Sequence, residues 1–296
     1  MNLSIEPLRD AAFGAEVRGL DPDRIDDTDR SRLRQAFLDH GLLLMKGLEA
    51  ISPEQHVELS RIFGVPTIHP IPTIRLAECP EIIVLEAEGG DSLAANDPTR
   101  NEVVGSIPWH SDLTYTDSPS RGSLLIARVV PPEMGQTGYV DTATVYDALP
   151  GSLRERIEGL RAIHSLGPLQ DSLKSAARAT ADTEGGELPT FEHVVHPLVH
   201  VHPDSGRKVL NISPAFIQRI EGIAESESDS LIEALTEFAT QDRFVHLHAW
   251  EVGDGVLWDN WRTMHSATGH RRRHSRRMHR TTLAPGPIPG PSHAAA

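Results

Sequence analysis

The chain contains little cysteine and no long apolar run. Cys79 is the only cysteine among 296 residues, which excludes a disulfide framework, a thiolate zinc site and an iron–sulfur cluster held within one chain. No stretch approaches the roughly 18 consecutive apolar residues that a membrane span needs. The first residues also lack the basic segment and apolar run of a secretory signal. We therefore expect a cytoplasmic protein with no membrane partner.

Basic residues are also scarce. Lys and Arg number 28 against 42 Asp and Glu, which gives a formal net charge of −14. Nucleic-acid binding relies on clustered Lys and Arg, so this balance argues against nucleic acid as a partner. One basic run, from His270 to Arg280, stands out against the acidic background. Its spacing from His265 indicates a different role for it.

Length and composition indicate one globular domain. Hydrophobic residues make up 39 % and charged residues 24 % of the 296 residues, which is ordinary for a folded protein. We interpret residues 1–284 as a single domain. Within it, Gln170–Pro189 is rich in small and polar residues with little apolar periodicity, which predicts a lid inserted near residues 168–190. The Pro-, Gly- and Ala-rich residues 285–296 predict a disordered tail.

Helical periodicity is confined to a few segments. Thr28–His40 has Thr28 as an N-cap candidate and Gly41 as a stop, and Pro53–Phe63 has Ser52 as its cap. The other helical patterns cover residues 144–149, 152–160 and 225–240.

Short apolar runs between Gly, Pro and Asp turn signals predict most of the remaining structure. They predict strands at residues 42–45, 82–85, 123–127, 194–201, 244–250 and 255–258. Because these strands do not alternate regularly with helices, the pattern favours an antiparallel sandwich or barrel over a doubly wound parallel sheet. The predicted fold class is mainly β with flanking helices.

A histidine followed two residues later by an acid occurs three times, in a chain with 16 histidines. His56-Val-Glu58 lies in a predicted helix, where residues two apart point to different sides. His202-Pro-Asp204 runs into a turn, where Asp is favoured for backbone reasons. His110-Ser-Asp112 lies in an extended segment, where alternate side chains project to the same side and can both reach one ion. Only the last pair predicts a metal site.

A third ligand candidate is His265, just after an apolar strand that ends in a turn. A lone histidine more often has a structural or surface role than a functional one. Two imidazoles and one carboxylate on one face of an ion, however, form the facial triad of non-haem iron(II) oxygenases and leave positions open for co-substrate and dioxygen. Together, His110, Asp112 and His265 therefore predict a catalytic iron(II) site.

The basic run supports this interpretation. Arg276 lies eleven residues after His265, and Arg280 follows four residues later. An arginine in this place can form a bidentate salt bridge with the remote carboxylate of 2-oxoglutarate, because the planar guanidinium matches a planar anion. On an extended strand Arg276 and Arg280 project to the same face, which leaves Arg280 for an anionic group of the substrate. The alternative for Arg280 is a structural salt bridge to an acidic residue.

Together these motifs resemble the taurine dioxygenase and 2,4-dichlorophenoxyacetate dioxygenase family of 2-oxoglutarate-dependent oxygenases. The resemblance covers nearly the whole chain, and its landmarks are Trp109-His-Ser-Asp-Leu-Thr-Tyr115, Gly135-Gln-Thr137, Tyr146-Asp-Ala-Leu-Pro150, His196-Pro-Leu-Val199 to Gly206-Arg-Lys208, Trp258-Asp-Asn260, His265 and Arg276–Arg280. It implies a double-stranded β-helix, or jelly roll, with the metal at one end of the barrel. It also implies that Thr137 hydrogen-bonds the carboxylate that Arg276 pairs with.

The resemblance further implies a dioxygenase that uses Fe(II), 2-oxoglutarate and O2, oxidises an unactivated C–H bond, in the main by hydroxylation, and releases succinate and CO2. In the taurine enzyme a histidine and a tyrosine of an early loop bind the sulfonate with the second arginine. The matching loop here reads His69-Pro-Ile-Pro72, so the histidine is kept and Pro72 replaces the tyrosine. We therefore expect His69 and Arg280 to bind a small anionic substrate, a carboxylate, sulfonate or sulfate, other than taurine.

Two other functions remain open. A zinc hydrolase can use two histidines and an aspartate with water at an open position, but it does not need Thr137 and Arg276. A non-catalytic jelly-roll protein that binds a metal or ligand does not need the complete set of metal and co-substrate residues. The sequence determines neither the substrate, nor the oxidative outcome, nor whether the chain forms a homo-oligomer.

Overall fold

The computed structural model describes residues 3–9, 11–87, 96–166 and 193–288. The α-helices in these ranges are α1 Asp27–His40, α2 Pro53–Arg61, α3 Thr142–Ala148, α4 Gly151–Ile157 and α5 Glu225–Ala239. The strands are β1 Ser4–Pro7, β2 Ala15–Arg18, β3 Leu42–Met45, β4 Arg75–Leu76, β5 Cys79–Glu86, β6 Val103–His110, β7 Gly122–Val129, β8 Thr137–Asp141, β9 Arg161–His164, β10 Val194–Pro197, β11 Val199–Val201, β12 Lys208–Leu210, β13 Ile217–Ile220, β14 Val245–His248, β15 Gly255–Asp259, β16 Thr263–Arg271 and β17 Arg277–Leu283. The predicted lid near residues 168–190 lies outside the described residues, and so do residues 289–296 of the tail predicted at 285–296. None of the described helices is long and apolar enough to cross a membrane.

Two facing sheets form the body of the molecule. The larger sheet has the strand order β1-β2-β3-β15-β7-β17-β5-β4, and the smaller sheet has the order β14-β8-β16-β6. Strands distant in the chain are neighbours, as where β15 lies between β3 and β7. Apart from the parallel pair β2 and β3, the strands in both sheets pair in antiparallel fashion, and this arrangement is a double-stranded β-helix, or jelly roll. The predicted fold class, mainly β with flanking helices, is confirmed.

Strand β3 is apolar throughout because both of its faces are covered. Leu42 and Leu44 belong to the cluster that fills the space between the sheets, together with Trp258 of β15. Leu43 and Met45 point the other way, into the cluster that includes helices α1 and α2. Full burial of an aliphatic side chain contributes about 1.5 to 3 kcal/mol, so the alternation stabilises the barrel and its helical cover together.

The outer face of the smaller sheet is covered by helices α3, α4 and α5. Val140 of β8 and Met264 of β16 pack outward in a cluster that includes Leu231 of α5. Because side chains alternate along a strand, the neighbouring residues Tyr139 and His265 face the barrel interior. Helix packing on one side of this sheet therefore orients the site residues on the other side.

Local sequence specifies the start of α2 and both ends of α1. Ser52 caps α2 as predicted, and α1 stops at Gly41, whose φ of 69° lies in the left-handed region that favours glycine. The predicted N-cap Thr28 is wrong. Asp26 caps α1 instead, because its carboxylate accepts the backbone N–H of Asp29 at 2.8 Å.

Candidate metal and co-substrate site

The three predicted metal ligands come together at one end of the barrel. His110, the last residue of β6, is the cross-strand partner of His265 in β16, and their ring centroids lie 4.2 Å apart. The Asp112 carboxylate places Oδ1 3.7 Å from His110 Nε2 and Oδ2 3.7 Å from His265 Nε2. One ligand atom from each residue lies within 4.8 Å of the other two. No other group of three potential ligands meets this criterion among the residues that the structure describes.

Asp112 reaches this site by a different route from the predicted one. Strand β6 ends at His110, and Asp112 lies in the following turn, so strand alternation does not orient it. The Asn260 side chain instead binds its backbone, accepting the Asp112 N–H at 2.7 Å and donating to the Asp112 carbonyl at 2.9 Å. Asn260 also donates to the Ser120 carbonyl at 3.0 Å. The Asn260 side chain thus makes the two backbone hydrogen bonds that a neighbouring strand would make to a residue within a sheet.

Burial favours the neutral form of both histidines, and a hydrogen bond fixes the ring proton of His110. His110 Nδ1 lies 2.7 Å from the Pro108 carbonyl, which can only accept, so the ring proton is on Nδ1 and Nε2 presents a lone pair. Burial lowers the pKa of His110 and of His265. Two neutral imidazoles and a carboxylate, with no thiolate, are the donor set that suits non-haem iron(II).

Arg280 is the cation of the site. Its Nη2 donates to Asp112 Oδ2 at 2.5 Å and to Ser123 Oγ at 2.8 Å, and its Cζ lies 5.1 Å from the ring centroid of Trp258. Burial acts to raise the pKa of Asp112, but Arg280 and the two histidines outweigh burial and hold that pKa below its usual range. The alternative foreseen for Arg280, a salt bridge, is therefore present, and its partner is the predicted metal ligand.

Thr137 and Arg276, the predicted co-substrate residues, lie on neighbouring parts of the interior. Thr137 is the first residue of β8, and its Oγ1 accepts the indole N–H of Trp250 at 3.0 Å. Arg276 is partly buried, and burial lowers its pKa. Within the described ranges Arg276 forms no ion pair with an acidic residue. A partly buried cation without an acidic partner can bind a carboxylate of an anionic ligand.

The two arginines share a surface, although the predicted alternation does not produce it. Arg276 precedes β17, and the register of β17 against β7 shifts between Arg277 and Met278. Even so, Arg280 and Arg276 both act on the pKa of Tyr139. Both guanidinium groups therefore lie near one interior side chain.

His69 lies close enough to Arg280 for the arginine to act on its pKa. Burial lowers that pKa, and the positive charges of Arg280 and Arg75 lower it further. The Ile71 N–H donates to His69 Nδ1 at 3.1 Å, so the remaining proton of the neutral ring is on Nε2. His69 can therefore offer one neutral N–H donor. The substrate-binding roles of His69 and Arg280 stay predictions.

An aromatic wall beside His110, formed by Phe216 and Tyr115, was not predicted from the sequence. The Phe216 ring meets the His110 ring edge-on at a centroid distance of 5.7 Å, and Tyr115 packs on Phe216 at 4.9 Å. Leu166 and Ala215 complete this apolar cluster. The wall was missed because Phe216 comes far along the chain from His110, with no motif around it.

Comparisons with known proteins show the family of the chain. Residues 4–282 match the family model described as taurine catabolism dioxygenase TauD, TfdA family. An (S)-phenoxypropionate/α-ketoglutarate dioxygenase of Sphingobium herbicidovorans is 35 % identical over 266 residues, covering 89 % of this chain and 88 % of the relative. An α-ketoglutarate-dependent 2,4-dichlorophenoxyacetate dioxygenase of Cupriavidus pinatubonensis is 32 % identical over 275 residues, covering 90 % and 92 %. The crystal structure of a taurine dioxygenase from Burkholderia xenovorans is similar at a TM-score of 0.75 and 30 % identity, covering 97 % of this chain and 90 % of that one.

Proposed function

The chain belongs to the taurine catabolism dioxygenase TauD, TfdA family, and from this premise we propose which residues carry its reaction and which class of substrate they bind. It is a dioxygenase that depends on Fe(II) and on 2-oxoglutarate, also called α-ketoglutarate, and acts on a small organic molecule. A zinc hydrolase and a non-catalytic jelly-roll protein are thereby set aside.

We assign the iron to His110, Asp112 and His265. Iron, 2-oxoglutarate and O2 together supply the oxidising chemistry, with release of succinate and CO2. The chain contributes the geometry: two strand-borne imidazoles held neutral by burial, and a carboxylate held in place through its backbone. The single Cys79 fits a reducing cytoplasm, where iron stays ferrous, and we propose this location for the protein.

We assign 2-oxoglutarate to the interior surface that carries Thr137 and Arg276. The Arg276 guanidinium would pair with the carboxylate remote from the metal, and the Thr137 hydroxyl would donate to the same group. A buried cation without an acidic partner is costly, so a ligand carboxylate stabilises Arg276. In this orientation the 2-oxo acid end would be free to bind the metal held by His110, Asp112 and His265.

We propose that the substrate is an aryloxyalkanoic acid, a carboxylate joined through an ether oxygen to an aromatic ring. One observation carries the proposal: the site has a cation, Arg280, beside Asp112, and an aromatic wall of Phe216 and Tyr115 beside His110. A guanidinium binds a carboxylate in a planar fork, and aromatic rings pack edge-to-face or offset at such distances. Two relatives are named for phenoxy acids, which supports this choice.

The proposed chemistry is hydroxylation of the carbon between the ether oxygen and the carboxylate. One oxygen atom of O2 enters this C–H bond, and the other enters succinate as 2-oxoglutarate loses CO2. The product carries a hydroxyl and an aryloxy group on the same carbon. It collapses to a phenol and a 2-oxo acid, with the hydroxyl proton transferred to the departing phenolate.

The test is a substrate panel scored by succinate and phenol release. The panel contains both enantiomers of 2-phenoxypropionate, 2,4-dichlorophenoxyacetate, taurine, a medium-chain alkyl sulfate and the methyl ester of 2-phenoxypropionate. We expect an aryloxyalkanoate to give equal amounts of succinate and phenol, and the ester to be at least 10-fold poorer in kcat/KM. Preferential turnover of taurine or the alkyl sulfate would refute the aryloxy assignment. Equal turnover of acid and ester would refute the role of Arg280.

A further inference from the structure

The hydroxyl of Tyr139 forms no hydrogen bond of normal geometry within the part of the chain that the structure describes, although the Thr137 hydroxyl is close enough to act on its pKa. The residue is 0 % exposed, so bulk solvent does not reach it. Buried hydroxyl groups in native proteins almost always bond to protein, ordered water or ligand, because an unpaired one has lost its hydration without compensation. The hydroxyl of Tyr139 therefore points to a ligand inside the barrel.

Packing fixes the position of the Tyr139 ring. Tyr139 in β8 is the cross-strand partner of His265 in β16, and the two rings stack at a centroid distance of 6.2 Å and an interplanar angle of 20°. Trp258 packs against the same ring at 5.8 Å. Burial raises the pKa of Tyr139 far above its usual range, so the hydroxyl keeps its proton and acts as a donor.

The groups around this hydroxyl indicate an anion. Arg280 and Arg276 are the two cations that act on Tyr139, and Arg276 forms no ion pair within the described residues. Thr137 lies two residues before Tyr139 on the same face of β8. Because Thr137 Oγ1 already accepts the indole N–H of Trp250, its own proton is available for an acceptor. The hydroxyl donors of Thr137 and Tyr139 and the guanidinium of Arg276, which has no acidic partner, thus share this part of the interior.

We propose that Tyr139 binds the co-substrate, and that its hydroxyl donates to the carboxylate of 2-oxoglutarate remote from the metal. A carboxylate offers about four acceptor positions, enough for Arg276, Thr137 and Tyr139 together. The inference rests on the proposed function and adds a third donor to the two co-substrate residues predicted from the sequence. It makes Tyr139 a determinant of selectivity for 2-oxoglutarate over 2-oxo acids that lack the second carboxylate.

The test compares Tyr139→Phe with the wild type in binding, without turnover. The full-length protein is loaded with Mn(II), and its affinity for 2-oxoglutarate and for 2-oxopentanoate is measured by calorimetry. In 2-oxopentanoate a methyl group replaces the remote carboxylate. We expect Tyr139→Phe to weaken 2-oxoglutarate binding about 10-fold and to leave 2-oxopentanoate binding unchanged. Tyr146→Phe is the matched control, because the Tyr146 hydroxyl bonds Glu158 on the outer side of the fold.

Thermal unfolding gives a second readout. Without co-substrate, Tyr139→Phe should unfold at the wild-type temperature or above, because it removes an unpaired buried group. The rise in unfolding temperature on adding 2-oxoglutarate should be smaller than in the wild type. Unchanged affinity for 2-oxoglutarate overturns the proposal, and so does equal weakening for both 2-oxo acids, which would place the hydroxyl near the metal-proximal end. If the Mn(II)-loaded wild type itself bound no 2-oxoglutarate, the proposed function would fail as well.

Discussion

Arg280 donates a hydrogen bond to Oδ2 of Asp112 over 2.5 Å, so the carboxylate that we assign to the metal also has an arginine partner. The two side chains are only 15 % and 12 % exposed. A buried carboxylate without a counter-charge is strongly unfavourable, and Arg280 supplies that charge. Oδ1 of Asp112 lies 3.7 Å from His110 Nε2 and is the carboxylate oxygen that Arg280 does not bind.

The first prediction concerns this ion pair. Arg280→Met should destabilise the metal-free protein by about 3 to 5 kcal/mol, because Asp112 keeps its charge and loses its partner. Mn(II) should then raise the unfolding temperature more than in the wild type, since the metal becomes the main counter-charge. Thermal unfolding in EDTA and in Mn(II) measures both effects. Arg273→Met, which removes a surface arginine paired with Glu133, should not enlarge the metal effect. An equal metal-induced rise in all three proteins would contradict the prediction.

The second prediction concerns the amide that holds Asp112. Asn260→Ala removes both hydrogen bonds to the Asp112 backbone, so the carboxylate loses its fixed position. We expect Mn(II) affinity to fall about 10- to 100-fold, the usual effect of removing a group that orients a metal ligand. Titration followed by the electron paramagnetic resonance signal of free Mn(II) measures it. Asn211→Ala, which removes a comparable bond to the Pro197 carbonyl, is the control and should keep wild-type affinity.

The third prediction concerns the co-substrate arginine. Arg276→Lys keeps the positive charge but loses the bidentate fork, so the apparent constant for 2-oxoglutarate should rise about 10- to 100-fold, from a loss of roughly 1.5 to 3 kcal/mol. Steady-state succinate release at saturating substrate measures this constant. Mn(II) affinity, measured in parallel, should not change. An unaltered constant for 2-oxoglutarate would transfer the role to Arg277, since Arg273 is paired with Glu133 at the surface.

The fold was predictable where the local sequence pattern of a segment agrees with the way that segment packs in the structure. The apolar run at β3 and the capped helix at Pro53 both appear in the structure as predicted. The cap at Thr28 was wrong because Asp26 offers a carboxylate two residues earlier in the same polar stretch. The pairing of strands distant in the chain cannot be read from periodicity, because each strand carries only a pattern of faces. That pairing came from the family resemblance.

The candidate site could be proposed from the sequence where its residues lie in short motifs. The spacing of His110 and Asp112 indicated two ligands, although the aspartate lies in a turn and not on the strand. The hydrogen bonds between the Asn260 side chain and the Asp112 backbone could not be foreseen, because the two residues are 148 positions apart in the chain. The contact of Phe216 with His110 and the burial of the Tyr139 hydroxyl also arise from tertiary packing, since both depend on which strands are neighbours. A tyrosine in a buried strand has no distinguishing signal in the sequence.

The last prediction concerns His56, which is buried where α2 packs on the larger sheet. Its Nε2 lies 3.3 Å from the Leu124 carbonyl and 3.4 Å from Thr281 Oγ1. Burial lowers its pKa to about 3, and the nearby side chains of Arg128 and His279 contribute in the same direction. The unfolded chain takes up this proton near pH 6.5, whereas the folded protein does not. The effect of His56 on the free energy of unfolding is therefore absent above about pH 6.5, and it lowers that free energy progressively as the pH falls toward 3.

Between pH 7 and pH 5 the proton uptake of His56 in the unfolded chain should cost about 2 kcal/mol of stability, at about 1.4 kcal/mol per pH unit below pH 6.5. His56→Gln abolishes the titration and keeps an N–H donor for the Leu124 carbonyl. The difference in unfolding free energy between the two pH values, from urea denaturation, should therefore be about 2 kcal/mol smaller in the variant. His193→Gln, at an exposed position, should give the wild-type difference. An identical difference in His56→Gln and the wild type would show that His56 does not govern the acid sensitivity of the fold.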